Sequence, residues 1–105
     1  MEKYETHLQG DFDELLAWLH EEFEDPAAES RSDYSFDNFR CAMLVYEKYS
    51  FWSKGNISLT ILLVESERGL FVSAVSSGGD VVIKRYQKRL LKQAVKIIEA
   101  YKRYG

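Results

Sequence analysis

Residues 39–76 constrain the fold of this chain more than any other part of it. Phe39–Trp52 and Ile57–Glu65 are two long runs rich in β-branched and aromatic residues, separated by Ser53-Lys54-Gly55-Asn56. Two such runs around a turn-forming segment predict long strands folded back on each other. Glu65-Ser66-Glu67-Arg68-Gly69 predicts a second turn, and Leu70–Ser76 a third strand rich in small residues. Everything else in the chain must cover this sheet or extend it.

The period of two assigns faces. In the first long strand the odd positions are Phe39, Cys41, Met43, Val45, Glu47, Tyr49 and Phe51. That side is expected to be core, with Cys41 a buried, inert thiol. Glu47 interrupts the pattern, so a bulge is expected near Tyr46-Glu47-Lys48. The even side carries Leu44, Tyr46 and Trp52, and the even side of the next strand carries Leu62 and Val64. If helices cover the odd face, this even face is too apolar for open water, and a contiguous patch of that kind marks an interface or a ligand surface. Tyr and Trp are also common interface anchors.

The flanks supply the cover. Tyr4, Thr6 and Leu8 alternate with polar residues, which predicts a short edge strand ended by Gly10. Asp11 stands at an N-cap position with Glu14 three residues on. Phe12, Leu15, Leu16, Leu19 and Phe23 then form one helical stripe, and Asp25-Pro26 should end it. Residues 25–38 are mostly polar, with Tyr34 and Phe36 as the large apolar groups, and predict a surface crossing. It could fold over the even face. Ser77-Gly78-Gly79-Asp80 predicts a turn and Val81-Val82-Ile83 a short last strand. From about Tyr86 a second helix puts Tyr86, Leu90, Ala94, Ile97, Ile98 and Tyr101 on one side. The reading is one α+β domain over residues 1–105: a two-layer sandwich with a mainly antiparallel four- to five-stranded sheet, two helices on one face, and the order β-α-β-β-β-(β)-α.

The runs Val45-Tyr46-Glu47-Lys48-Tyr49-Ser50, Gly55-Asn56-Ile57-Ser58-Leu59 and Phe71-Val72-Ser73-Ala74-Val75-Ser76-Ser77-Gly78-Gly79 resemble a small bacterial family of uncharacterised domains. Gly10-Asp11-Phe12-Asp13 and Ser32-Asp33-Tyr34 resemble its opening, and the likeness covers roughly residues 8–80. It implies a bacterial cytoplasmic α+β protein and brings no catalytic residues to carry over. A longer last strand would be expected from it than Asp80–Ile83.

Charge is strongly segregated. Residues 1–37 hold 12 acidic and 2 basic side chains, whereas residues 84–105 hold 8 basic and 1 acidic. Lys84, Lys88, Lys92 and Lys96 form an i,i+4 stripe beside Arg85 and Arg89. Pairing with the acidic first helix is the expected use of this stripe. Binding of a polyanion by Lys84, Lys88, Arg89, Lys92 and Lys96 is the alternative, with nucleic acid disfavoured because the pI is near 5.4 and no aromatics interleave the cations.

Motifs for chemistry are sparse. The single cysteine excludes an intrachain disulfide and a multi-thiolate metal site. His7 and His20 fall on polar or border positions and offer no positioned base for a nucleophile. His20-Glu21-Glu22 lacks the Cys half of a zinc deaminase signature. Ser76-Ser77-Gly78-Gly79 matches neither phosphate-loop pattern and reads as a turn. No apolar run approaches the ~18 residues of a membrane span, and the polar N-terminus lacks a secretory signal core. No catalytic group, metal or cofactor is expected. The expectation is a cytoplasmic binding or interaction domain, a homo-oligomer joined through the second sheet face. A small-ligand site is the alternative, built from Tyr46, Tyr49, Ser50 and Trp52 beside Ser76, Ser77, Gly78 and Gly79.

Overall fold

The computed structural model describes residues 2–23, 28–50, 55–78 and 84–104. They form five strands and two helices: β1 (Glu2–Leu8), α1 (Phe12–Glu22), β2 (Ala28–Phe36), β3 (Phe39–Ser50), β4 (Gly55–Ser66), β5 (Gly69–Gly78) and α2 (Lys84–Tyr104). The sheet order is β1-β5-β4-β3-β2, and every neighbouring pair is antiparallel. β2 to β5 form a meander. α1 carries the chain from β1 at one edge to β2 at the other. Both helices lie on one face, giving the expected α+β architecture.

One strand of the sheet lies where the sequence predicted none. β2 lies in the segment read as a surface crossing, while Val81-Val82-Ile83, Asp25 and Pro26 fall outside the described residues. As an edge strand, β2 needs hydrogen bonds on one side only and is exposed from Ser30 to Phe36, so burial leaves no period in its sequence. It joins β3 through a tight turn with Asp37 at φ 51°, a left-handed conformation that Asp tolerates better than most residues. β5 runs through Gly78 rather than ending at Ser76, and Ser66 faces Gly69 across a two-residue turn. Gly69 has φ 111°, and a Cβ there would stand 2.8 Å from Gln9 Nε2.

Register decides the faces, and it reverses the expected assignment for β3. Leu44 pairs with Ile61, Ala42 with Leu63 and Tyr46 with Leu59. Even positions of β3 therefore share a face with odd positions of β4, because directly paired residues point the same way. That shared face is the core: Ala42, Leu44, Tyr46, Ile57, Leu59, Ile61 and Leu63 are all buried. Leu70, Val72, Ala74 and Ser76 of β5 and Leu8 of β1 complete it. The ladder from Arg40 to Ser50 is unbroken, so no bulge occurs at Tyr46-Glu47-Lys48. Glu47 needs none, since its side of β3 is open and it is exposed.

The helices close over this core as their periodicity predicts. Asp11 caps α1, accepting from Glu14 N at 2.9 Å, and Phe12, Leu15, Leu16, Leu19 and Phe23 are buried. Phe23 stacks on Tyr46 with centroids 4.6 Å apart. Arg40 pins the start of α1 to the sheet: it donates to Glu65 at 3.0 Å and to Asp13 at 3.3 Å, and lies 4.4 Å from the centre of the Phe12 ring. α2 buries Ala94, Ile97, Ile98 and Tyr101. The Tyr101 hydroxyl accepts from Asp11 N at 3.1 Å, and a Cβ on Gly10 would come within 2.8 Å of that hydroxyl and its ring. Burial raises the Tyr101 pKa above its ordinary value, against a smaller lowering from its backbone hydrogen bond.

Candidate functional site

Among the described residues, the other sheet face carries no helix. Its residues follow from the same register. One row runs Tyr34–Cys41–Val64–Phe71–His7 across all five strands, and the next runs Ser32–Met43–Leu62–Ser73–Glu5. A third brings Val45, Thr60 and Val75 together, ending on Lys3. Phe36 and Phe39 pair beside the Asp37-Asn38 turn. Tyr34 and Phe36 are each 61% exposed, Phe39 41% and Met43 42%. Cys41, Val45, Leu62, Val64, Phe71 and Val75 are half-buried.

The polarity of the face is ordered. Large apolar groups occupy its centre and the β2–β3 side. Charge sits on β1, where Lys3 and Glu5 pair at 3.4 Å, and at exposed Glu47. The His7 ring packs against Phe71, with centroids 5.0 Å apart. Ser58 and Ser77 share a hydroxyl–hydroxyl hydrogen bond of 2.8 Å.

Several residues expected on the free surface are elsewhere. Leu44 and Tyr46 are core residues beneath α1, because β3 presents its even side to the helices. Ser76 is fully buried on the core face of β5, not in a turn. Ser77 is half-buried on the open face, and Gly78 ends β5 opposite Ile57. Tyr49 and Ser50 are placed by backbone register opposite Asn56 and Gly55. Trp52 and Gly79 lie outside the described residues. The expected grouping of Tyr46 and Ser76 into an accessible ligand site therefore fails at both positions. Leu62 and Val64 are on the open face as expected. Phe39, Cys41, Met43 and Val45, expected in the core, accompany them, so Cys41 is a half-buried thiol on an open surface. Tyr34 and Phe36 enlarge this face rather than cover it.

Four cations of the basic stripe are displayed. Lys84 opens α2, and Lys88, Arg89, Lys92 and Lys96 are exposed. The contact between the helices is aromatic: Trp18 Nε1 donates to Ile97 O at 3.0 Å, and its ring meets Tyr101 and Tyr104. Sequence periodicity missed Trp18, which lies off the apolar stripe of α1 and faces sideways toward α2. On α1, Asp13 pairs with Arg40 of β3 rather than with a lysine of α2. On the β1 side, the Tyr4 hydroxyl donates to Glu99 and Lys102 Nζ donates to Thr6 Oγ1 at 2.9 Å. Burial first, then Glu99, raises the Tyr4 pKa.

Among the described residues, no three His, Cys, Asp or Glu side chains come together to hold a metal ion, and no helix is long and apolar enough to cross a membrane. Neither the curated proteins nor the solved structures contain a match to this chain. A family model does match, over residues 1–102, and on that match the chain belongs to the family of unknown function DUF6054.

Proposed function

We propose that this chain is a bacterial cytoplasmic interaction domain that binds rather than catalyses, and that it self-associates through its open sheet face. The resemblance of its strand motifs supports the setting. The exposure of Tyr34, Phe36, Phe39 and Met43 on one continuous face carries the functional reading. Water contact with that much apolar surface is unfavourable, and burying it is favourable by roughly 25 cal/mol per Å².

The size of the face fits a second copy. Five strands spaced ~4.8 Å apart and about 30 Å long make a face of about 700 Å². A standard interface uses about 800 Å² per partner. A two-fold pairing would place the apolar centres together and leave Lys3, Glu5 and Glu47 toward the rim, where charge is tolerated.

Sedimentation over a micromolar-to-millimolar concentration series tests this. The chain is expected to shift from monomer to dimer, and Met43→Lys to remain monomeric with an unchanged circular dichroism spectrum. A monomer at every concentration would remove the reading.

A further inference from the structure

We propose that the groove between the middle of α2 and the start of β1 binds a free, single-chain anionic amphiphile: an aliphatic chain with an anionic head. The groove is lined by Glu2, Lys88, Leu91, Lys92, Val95 and Lys96 and has a volume of about 410 Å³. It lies on the helix layer, away from the open sheet face, and does not depend on self-association.

Two parallel ladders run along this side of α2. Leu91 and Val95, one turn apart and half-buried, form an aliphatic floor, and Leu91 also packs on the core. Lys88, Lys92 and Lys96 are exposed and stand one turn apart beside that floor. The lysine ladder spans about 12 Å of helix axis. Lysine stems can extend the apolar wall while their ammonium groups remain at the rim. The arrangement therefore offers hydrocarbon below and positive charge above, with Glu2 as the opposing carboxylate on the strand side. Beyond Val95 the Tyr4–Glu99 and Lys102–Thr6 hydrogen bonds hold helix and strand in place, so the walls have a fixed spacing.

The chemistry separates this occupant from two others. A nucleic acid would leave the aliphatic floor unused, and among the described lining residues there is no aromatic ring for a base to stack on. A bilayer is met by apolar groups that project, whereas Leu91 and Val95 are recessed behind the lysines. A volume of this size falls in the ~300–1,000 Å³ range of small-molecule sites.

Calorimetric titration of the full chain with palmitate, kept below its micelle concentration, tests the assignment. One palmitate per chain is expected, with affinity reduced about tenfold in Lys88→Gln/Lys92→Gln through loss of charge-assisted contacts. Affinity should rise in Glu2→Gln and stay unchanged in Met43→Lys, which alters only the other apolar surface. Absence of binding, equal affinity in the double variant, or equal binding of an alkyltrimethylammonium of the same length would overturn the proposal. So would a loss that follows Met43→Lys, or flotation with anionic vesicles without binding of monomeric palmitate.

Discussion

The two faces of the sheet are built from adjacent residues of the same strands, yet they meet different environments. Leu62 and Leu63 are neighbours of identical chemistry. Leu63 is fully buried under the helices, and Leu62 is half-buried on the open side. The covered face fits α1 and α2 closely through the Phe23–Tyr46 stack, the Trp18 bridge and the Tyr101 hydroxyl. The open face has comparable apolar character and, among the described residues, no layer above it. Apolar content alone does not make a core; the helix stripes must have somewhere to dock, and register decides which side receives them.

Substitutions on the two faces sharpen this contrast. Leu63→Ala should have the largest effect, a loss of about 3 kcal/mol in urea unfolding, because it opens a cavity in a fully packed site. A cost below about 1 kcal/mol would mean the covered face is not closely packed. Gly10→Ala should follow at about 2 kcal/mol, since its methyl would overlap the Tyr101 ring. Combining it with Tyr101→Phe should relieve part of that cost in a double-mutant cycle.

An alkaline titration should give a smaller effect. The Tyr4 and Tyr101 pKa values are raised in the folded chain, so the native state retains protons that the unfolded chain releases. Their contribution is fully present below about pH 10 and falls as pH rises through the higher folded values. Urea midpoints measured across that range should decline, and less steeply in Tyr101→Phe. The smallest effect belongs to Leu62→Ala, within about 1 kcal/mol for the monomer. If its cost grows with protein concentration, the open face is being buried between copies.

Much of the architecture was legible because its signals are local. The Asp11 cap, the Phe12–Phe23 stripe and the Ala94–Tyr101 stripe each depend on spacing within one element, and each appears as expected. The faces of β3 were not legible. Phe39, Cys41, Met43 and Val45 alternate with Ala42, Leu44 and Tyr46, so both sides are apolar and a period of two cannot choose between them. The pairing of even β3 positions with odd β4 positions is a property of the hairpin, not of either strand. β2 escaped for the opposite reason: an exposed edge strand needs no apolar alternation. Of the residues singled out in the sequence, Leu62 and Val64 lie on the open face and Lys88, Arg89, Lys92 and Lys96 are exposed, while Leu44, Tyr46 and Ser76 lie in the core.

The hydrogen bond from Asp11 N to the Tyr101 hydroxyl joins residues 90 positions apart. During synthesis the first helix leaves the ribosome long before its partner on α2 exists. Its local cap with Glu14 can form at once, but the contact that locks its entry must wait until residue 101 has been made. The start of α1 is therefore unfastened until Tyr101 has been made, and a helix of 11 residues is marginal on its own, so Tyr101 acts late, as a completion step that couples the start of the fold to α2. Contacts of such large sequence separation slow folding relative to local ones. A chain cut before α2 would keep the signals for its first helix and lose the means of holding it against the sheet.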